Sequence, residues 1–459
     1  MAGPTHGQSL APLLDPRADA AIALVRIMSG KERSTDCLNA LVAAYPQHRE
    51  RDASLLHELV MGVLRRRAAL EAILTPLLRR PLSGARPVVR EILLCMAYQA
   101  YFLTRIPPHA LVSASVAATE RLAGRAAAAF VNAVGRRVAE KAADIDALPL
   151  QTRYSIPDHL MRRLRAVLGG EPTEDVLEAM SSHAPVSLRA NRALTTPDDL
   201  IRVLATRGMR ARRSSIAPDG VVLTEGRLSA LSQVIPRLAV PQDEASQLVV
   251  LALDPRPGEK VLDLCAGGGV KTSHIEATTG LKAVAVDKDG AKLERNRDLC
   301  RQMCLPEPEV LVADIRAMPQ GPMGDAVLLD APCTGIGTVT RRPEVRYVRC
   351  EKDYARAALL QTELLRKACD LVKPGGRLVY AVCSFAPEEG PQVLERVLAE
   401  RNDFAMEPAP FSGPFSRPDG TILTLPWRDG CDGFFVARLR RSRQTLSRQM
   451  RAPRTSPSR

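Results

Sequence analysis

The fold is decided by residues 261–272, which read VLDLCAGGGVKT. The first four residues form a short apolar run of the kind that becomes a buried strand in a parallel sheet, and a glycine-rich turn follows it. Glycine lets the backbone turn tightly and approach a ligand closely. A helix is predicted to begin near Lys271. The segment therefore predicts a strand, a turn and a helix, an arrangement that binds ligands at the carboxyl edge of an open α/β sheet.

The residues around this segment repeat the alternation of strand and helix from 238 to 437. Further short apolar runs predict strands at 283–286, 310–312, 326–329 and 377–380. Strands that alternate with helices are typical of a parallel sheet covered on both faces. The predicted fold class is therefore α/β, with a Rossmann-like, doubly wound domain.

Acidic residues mark the ends of three successive predicted strands: Asp263, Asp287 and Asp314. Asp287 follows the glycine turn by about twenty residues, where a carboxylate can accept hydrogen bonds from ribose hydroxyls, and Asp314 is placed to meet an adenine amine. The glycine spacing fits neither the dinucleotide fingerprint nor a phosphate loop. The pattern favours S-adenosylmethionine, and the alternative is that the three acids are solvated strand ends. The expected cofactor-binding residues are Asp263, Cys265, Ala266, Gly267, Gly268, Gly269, Lys271, Asp287, Asp314 and Asp330.

Two cysteine motifs follow later strands of the same predicted sheet. Asp330-Ala331-Pro332-Cys333 comes after the run at 326–329, and Tyr380-Ala381-Val382-Cys383-Ser384 comes after Arg377. Because the carboxyl ends of parallel strands share one edge, both thiols should face one pocket. Such a pair suits covalent chemistry in which one sulfur attacks and a second group helps release the product. The alternative is that both cysteines are buried packing residues.

The chain is predicted to contain four parts. Helical spacing of apolar residues predicts an all-α bundle over 13–145, with helices at 20–28, 51–66, 70–78, 87–103, 109–122 and 125–138. A small α+β module is expected at 146–237 and the catalytic domain at 238–440. The Arg-, Ser- and Pro-rich residues 441–459 are expected to form a basic disordered tail.

Composition limits the possible partners. The chain has 459 residues, 64 Lys and Arg against 51 Asp and Glu, and a formal net charge of +13, which is typical of a protein that meets a polyanion such as RNA. The alternative is an incidental arginine surplus. No apolar run is long enough to span a membrane and no signal peptide begins the chain, so we expect a cytoplasmic protein. The ten cysteines contain no C-x-x-C pair, so no metal site is expected.

These motifs together resemble the Sun/NOL1/NOP2 family of RNA cytosine-5 methyltransferases, and within it the bacterial Sun-type enzymes that act on 16S rRNA. The resemblance is carried by the glycine turn, the two cysteine motifs and three further stretches: 242–247, 387–389 and 432–435. It extends to residues 106–110 and 130–134, which look like the NusB-type RNA-binding domain. It spans nearly the whole ordered chain.

The resemblance implies roles for four catalytic residues. It assigns attack to Cys383 and product release to Cys333, whereas the Pro332-Cys333 pair alone also looks like the nucleophile of DNA cytosine-5 methyltransferases. Asp330 could hold a proton near N3 of the base. The resemblance places Lys271 in the active site, and a phosphate or surface contact is the alternative.

One departure from the family pattern concerns the cofactor turn. The family usually has Ala-Ala-Pro-Gly-Gly-Lys-Thr, whereas this chain has Gly268 at the proline and Val270 at the second glycine. A β-branched residue is a poor substitute wherever the backbone needs a positive φ. Either the turn differs here or cofactor affinity is reduced.

The expected function is therefore S-adenosylmethionine-dependent methylation of carbon 5 of an RNA cytosine through a covalent adduct between cysteine and carbon 6. The resemblance favours 16S rRNA as the substrate. The rivals are an enzyme of the same kind acting on tRNA or 23S rRNA, and a catalytically silent RNA-binding factor of ribosome assembly. Neither DNA nor a membrane is an expected partner, and the sequence leaves the oligomeric state open.

Overall fold

A computed structural model describes residues 13–141, 143–226 and 236–443. In the first half of the chain the helices are α1 Pro16–Met28, α2 Ser34–Ala43, α3 Glu50–Leu74, α4 Pro87–Phe102, α5 Pro108–Ala123, α6 Arg125–Ala139, α7 Leu150–Arg153, α8 Asp158–Leu168 and α9 Glu174–Ser181. The elements that follow are β1 Val186–Ala190, α10 Pro197–Ala205, β2 Arg210–Arg213, β3 Gly220–Glu225, β4 Ala239–Pro241, α11 Glu244–Leu253, β5 Val261–Leu264, α12 Val270–Thr279, β6 Val284–Asp287, α13 Gly290–Gln302, β7 Glu309–Val312, β8 Gly324–Asp330, α14 Val345–Val348, α15 Glu351–Leu371, β9 Val372–Val382, α16 Pro391–Glu400, β10 Phe404–Met406, β11 Ile422–Leu423, α17 Pro426–Asp429 and β12 Phe435–Arg441.

These elements form two compact units. The first contains the described residues up to Ala184 together with 334–353 and 426–430, and the second contains the described residues of 185–333, 354–425 and 431–443. The four-part division of the chain stays a prediction.

The helical bundle of the first unit is held by apolar faces that meet in one core. Fully buried side chains from α1, α3 and α4 form its centre, including Leu24, Leu56, Leu59 and Leu93. The predicted helices 51–66 and 70–78 were wrong as separate elements. They form one helix, α3, in which Arg66 departs from helical geometry with φ −115° and ψ 15°. The kink at Arg66 lies where the periodic pattern had indicated a break.

The segment 334–353 is anchored within the first unit by buried polar contacts. The fully buried Arg346 donates to backbone carbonyls of Tyr154, at 2.9 Å, and Met180. Glu344 accepts from Ser34 Oγ at 2.8 Å. Arg342 Nε lies 3.5 Å from Glu344 Oε1, and its side chain is half-buried. These three residues of the segment therefore belong to the structure of the unit.

The second unit contains two sheets. The smaller is a four-stranded antiparallel sheet in the order β2-β3-β1-β4. The larger has the order β10-β12-β9-β8-β5-β6-β7, with β11 paired to β12. Strands β5 to β9 are parallel, as the α/β prediction requires, and β12 is antiparallel to β9. The order reverses between β5 and β8, so a crevice opens beyond their carboxyl ends.

Strand β12 also corrects the predicted start of the tail. It extends through Arg441, which pairs with Phe404 of β10. The rest of the predicted tail, 444–459, lies outside the described residues. None of the helices in the described ranges combines the length and the apolar character needed to cross a bilayer.

Candidate active site

The glycine turn is built from backbone conformations that few side chains allow. Gly267 and Gly269 have φ values of 55° and 88°, and the non-glycine Cys265 between strand and turn has φ 62°. At Gly269 a Cβ would come within 2.8 Å of the Asn296 Cα, so this position accepts no side chain. At Gly268 a Cβ would meet nothing within 4 Å. The turn is therefore closed on the side of α13 and open at Gly268, which fits a ligand seated against it.

Val270 does not strain the turn. It is the first residue of α12, and Gly269 immediately before it takes the left-handed conformation at the helix start. Val270 itself does not have a positive φ. The turn therefore accommodates valine, because the positive φ falls one residue earlier, at Gly269. The effect of Val270 on cofactor affinity stays a prediction.

Acids and a hydroxyl hold this turn in place. Asp287, the last residue of β6, accepts from Gly267 N at 3.0 Å. Asp263 lies inside β5 rather than at its end and is fully buried, and it accepts from Thr272 Oγ1 at 2.7 Å. Burial raises the pKa of Asp263 to about 7. Its carboxylate thus lies beneath the turn and supports it. Burial also raises the pKa of Cys265 to about 12, so this thiol stays protonated.

Asp314 is placed differently from the other acids. It follows β7 by two residues, is 39% exposed, and accepts from Arg316 Nη2 at 2.7 Å. Hydrogen bonds from Arg316 lower the pKa of Asp314 to about 2. An adenine amine would therefore have to share this carboxylate with the arginine.

A further support of the turn comes from the smaller sheet. Arg189 on β1 is fully buried and donates to Ser273 Oγ at 2.8 Å and to Gln242 Oε1 at 2.6 Å. It also lies 3.4 Å from the Val270 carbonyl. The only sign of this residue in the sequence is a charged side chain inside a short apolar strand.

The two predicted cysteines meet. Cys333 Sγ lies 3.1 Å from Cys383 Sγ, and both side chains are partly buried. Register explains the meeting, because Asp330 pairs with Ala381 and Ala331 N donates to the Ala381 carbonyl at 2.9 Å. Because β8 and β9 are parallel and in this register, the turns that follow them lie side by side at the same edge of the sheet.

The contact between the sulfurs affects the acidity of Cys333. The hydrogen bond to Cys383 raises the pKa of Cys333 well above its ordinary value, and burial and the negative charges of Glu389 and Asp330 act in the same direction. Cys333 therefore keeps its proton and can donate a hydrogen bond to the sulfur of Cys383.

Lys271 and Asp330 form an ion pair beside the cysteines. Lys271 Nζ lies 2.6 Å from Asp330 Oδ2 and 5.5 Å from the centre of the Phe434 ring. Burial alone would lower the pKa of Lys271, but attraction to Asp330 outweighs it and the pKa is raised. The structure thus brings Lys271, Asp330, Cys333 and Cys383 together, with Lys271 reaching across from the helix that starts at the glycine turn.

One buried acid joins the two cysteine turns from behind. Glu389 accepts from Ser384 Oγ at 2.6 Å and from Gln361 Nε2 at 3.1 Å. Gln361 in turn donates to the Pro332 carbonyl at 2.9 Å. Glu389 therefore contacts the residue after Cys383 directly and the residue before Cys333 through Gln361. Residues 387–389 were noted in the sequence as a family feature, but nothing in the sequence indicated this connection.

The described residues contain no group of three or more His, Cys, Asp or Glu able to hold a metal ion. The site instead combines an open glycine turn, strand-end acids and two thiols.

Comparison with known proteins relates this geometry to characterised groups. Residues 250–440 match the family model described as 16S rRNA methyltransferase RsmB/F, residues 15–140 match the NusB family, and residues 156–228 match an RsmF/B-like ferredoxin-like domain. The chain is 34% identical to the ribosomal RNA small subunit methyltransferase B of Vibrio cholerae, over 93% of this chain and 97% of that protein. It is 32% identical to the protein of the same name from Pseudomonas syringae, over 93% and 97%.

Solved structures show the same architecture. The structure of PH0851 matches with a TM-score of 0.80 and 26% identity, covering 92% of this chain and 98% of that one. A methyltransferase homologue from Pyrococcus horikoshii matches with a TM-score of 0.51 and 27% identity, covering 62% and 100%. NSun6 from the same organism, solved with SFG, matches with a TM-score of 0.56 at 19% identity, covering 62% and 98%, which shows a shared fold.

Proposed function

The chain belongs to the RsmB/F family of 16S rRNA methyltransferases and depends on S-adenosylmethionine, and from that premise we propose that it methylates carbon 5 of a cytosine in 16S rRNA through a covalent cysteine adduct. The observation that carries the proposal is the 3.1 Å contact between Cys333 Sγ and Cys383 Sγ beside the Lys271–Asp330 pair. Methylation of an exocyclic amine needs no thiol, whereas carbon 5 becomes nucleophilic only after a nucleophile adds to carbon 6.

The proposed cofactor site is the glycine turn with Asp287 and the residues around it. S-adenosylmethionine supplies an electrophilic methyl group there. Asp287 is held at the end of β6 by its contact with Gly267 N, and Gly268 leaves open space for the ligand. Cys265, Ala266, Gly267, Gly268 and Gly269 would line the ligand with backbone. Asp263 would act from beneath by fixing Thr272.

In the proposed reaction the Cys383 thiolate forms a bond between its sulfur and carbon 6 of the cytosine. The electrons of the carbon 5–carbon 6 double bond shift to the carbon 4–carbon 5 bond and those of the carbon 4–N3 double bond shift to N3, where a proton hydrogen-bonded to the Asp330 carboxylate, oriented by Lys271, balances the charge. The resulting enamine makes carbon 5 the nucleophile that would take the methyl group, the electrons of the broken methyl bond would stay with the cofactor, and the N3 proton returns toward Asp330 as the carbon 4–N3 double bond re-forms. The product at this stage is a ring saturated at carbons 5 and 6.

Release requires loss of the carbon 5 proton. The bond between carbon 5 and that proton breaks, its electrons re-form the double bond, and the Cys383 thiolate leaves. Cys333 is proposed to accept the proton. While Cys383 is a free thiolate, the hydrogen bond between the two sulfurs keeps Cys333 protonated. Once Cys383 is bonded to carbon 6 that influence is lost, so the same group can become a base at the step that needs one.

The proposal is tested by incubating the purified full-length protein with S-adenosylmethionine and 16S rRNA that lacks the modification, followed by nucleoside mass spectrometry and bisulfite sequencing. We expect 5-methylcytidine at a single bisulfite-resistant position. Methyl groups found on N4, or only on tRNA or 23S rRNA offered in parallel, would contradict the proposal. Absence of transfer to every RNA, with cofactor binding retained, would favour the silent assembly factor.

A further inference from the structure

The helical unit contains a cavity of about 920 Å³ that the proposed reaction does not use. It lies between helix α6 and the loop that joins α3 to α4, and Leu77, Val89 and Val134 are among the apolar side chains that line it. Two arginines fasten this loop: Arg137 donates to the Leu77 carbonyl at 3.2 Å, and Arg86 donates to the Ala123 carbonyl. The cavity is therefore held open by contacts within the unit.

The rim of the cavity is positively charged. Arg79, Arg80, Arg86 and Arg137 line it, and its lining contains no acidic residue. Among the residues that the structure describes, none of these four arginines has an acidic partner within salt-bridge distance, whereas arginines elsewhere, such as Arg26, Arg153 and Arg377, do. Four guanidinium groups without counter-charges create a local field that attracts an anion, and guanidinium matches phosphate in shape and hydrogen bonding.

An exposed aromatic ring stands at the same cavity. Phe130 on α6 is 42% exposed. All other aromatic residues of the chain lie in the described ranges, and each of them is buried or half-buried. An apolar ring left in water beside a set of arginines has the two features that bind an unstacked nucleotide, namely a surface for the base and cations for its phosphates.

We propose that this arginine-rimmed pocket binds an unpaired nucleotide of the substrate RNA, with the base against Phe130 and the flanking phosphates against Arg79 and Arg80. The inference rests on the proposed function only for its premise that the ligand is RNA. Charge complementarity favours RNA over an apolar partner, and an acidic amphipathic peptide is the competing occupant that the experiment must separate.

The test measures binding of full-length protein to a fluorescent single-stranded RNA oligonucleotide and to a hairpin of equal length and charge. Phe130→Ala should weaken binding of the single strand about tenfold, as loss of one stacked base does, and should leave the salt dependence unchanged. The double variant Arg79→Gln/Arg80→Gln should weaken binding and reduce the slope of log affinity against log salt by roughly 1.4, two phosphate contacts at about 0.7 each.

The matched control is Arg125→Gln/Arg136→Gln, which removes the same charge from exposed positions of α6, the helix that carries Phe130, outside the cavity lining. It should change single-strand affinity and salt slope much less than the rim variant does. Equal effects of the two double variants, or equal loss of single strand and hairpin in Phe130→Ala, would overturn the pocket. The proposal would also be overturned if an acidic amphipathic peptide bound at this cavity and the RNA oligonucleotide, at the same concentration, could not displace it.

Two further measurements separate this proposal from the proposed function. S-adenosylmethionine binding and thermal unfolding should be unchanged in every variant, which excludes misfolding as the cause. If the wild-type protein transfers no methyl group yet Phe130→Ala still loses single-strand binding, the pocket stands and the proposed function fails. If the wild-type protein methylates cytosine and the pocket variants bind RNA normally, the pocket fails alone.

Discussion

The glycine turn and the cysteine turns occupy neighbouring strand ends of one sheet, but different kinds of contact hold them. Local geometry shapes the glycine turn: Gly267 and Gly269 adopt positive φ, and Thr272, eight residues after β5, bonds back to Asp263. One buried acid and its partners join the two cysteine turns: Glu389 bonds to Ser384 nearby and to Gln361, which bonds to the Pro332 carbonyl. Backbone conformation thus shapes the cofactor half of the site, and a network of side chains joins the two turns of the thiol half.

This difference predicts unequal responses to substitution. A substitution in the glycine turn changes the backbone conformation of that turn, so we expect it to affect cofactor binding and not the cysteine turns. A change at Glu389 removes the acceptor for Ser384 and for Gln361 at once, so it should alter the reaction without altering cofactor affinity. Substitutions at residues of one hydrogen-bond network produce coupled, non-additive effects.

The largest expected effect distinguishes the two thiols from each other. Cys383→Ala should abolish methyl transfer and form no covalent RNA complex, because no sulfur remains to add to carbon 6. Cys333→Ala should still add and methylate but fail to lose the carbon 5 proton, so an adduct should accumulate. Denaturing gel electrophoresis with labelled RNA and S-adenosylmethionine measures both.

Cys369→Ala offers the control for this pair, since that thiol is fully buried in the sheet core outside the site. It should retain activity. An adduct trapped by Cys383→Ala and absent in Cys333→Ala would reverse the assigned roles. Full activity in both variants would show that the cysteines only pack.

The second effect concerns the connection between the cysteine turns. Glu389→Gln retains the shape of the side chain but replaces one acceptor oxygen by a donor, opposite either Ser384 Oγ or Gln361 Nε2. We expect kcat to fall about tenfold to a hundredfold, the range in which a misplaced reacting group is felt, with the Kd for S-adenosylmethionine unchanged. Glu388→Gln, the neighbouring half-buried acid, is the control. A purely structural role would instead lower stability and leave kcat per folded molecule intact.

Much of this architecture follows from the sequence because its signals are local. Strand β5 was predicted with its observed bounds, and the four later parallel strands at their places with ends that differ by a few residues, because short apolar runs between turns identify them. The meeting of Cys333 and Cys383 also follows from topology, because both turns lie at one edge.

The rest required contacts between distant residues. Helix α2 was missed, as were strands β2 and β4, which are three or four residues long and obtain their stability from pairing. No local pattern links Arg189 to Ser273 or Glu389 to Ser384, and only the fold shows that these pairs bond to each other. The buried position of Asp263 likewise depends on α12 passing over it.

The third effect compares two strand-end acids. Asp287→Ala removes the acceptor that bonds to Gly267 N and the carboxylate available for ribose, so S-adenosylmethionine binding should weaken by about 1 to 3 kcal/mol. Asp314→Ala should cost less, because Arg316 already occupies that carboxylate. Isothermal titration calorimetry on both variants checks the order. A larger loss at Asp314 would show that the arginine yields to the ligand.

A smaller effect appears in the pH dependence of stability. Burial raises the pKa of Asp263 to about 7, above the roughly 3.9 expected of an unfolded aspartate, so the folded state binds more protons between these values. The contribution of the protonated Asp263 to the free energy of unfolding is therefore fully present below pH 4 and is lost as the pH rises through 7. Asp263→Asn mimics the protonated form, so its Tm relative to wild type should rise by a few degrees between pH 5 and 8. A constant difference would show that Asp263 is ionised throughout.

The smallest effect is expected at the position where the chain departs from its family. Val270→Gly restores the usual glycine, yet affinity for S-adenosylmethionine should change less than twofold, because Val270 already lies in α12 and Gly269 supplies the positive φ. Stability should fall by up to about 1 kcal/mol, since glycine is a weaker helix former than valine. Gly269→Ala is the informative partner: its Cβ would lie 2.8 Å from the Asn296 Cα, so binding should be severely weakened. Calorimetry on the two variants therefore shows which residue the turn requires to be glycine. Tighter binding of S-adenosylmethionine by Val270→Gly would show that the requirement for glycine lies at position 270.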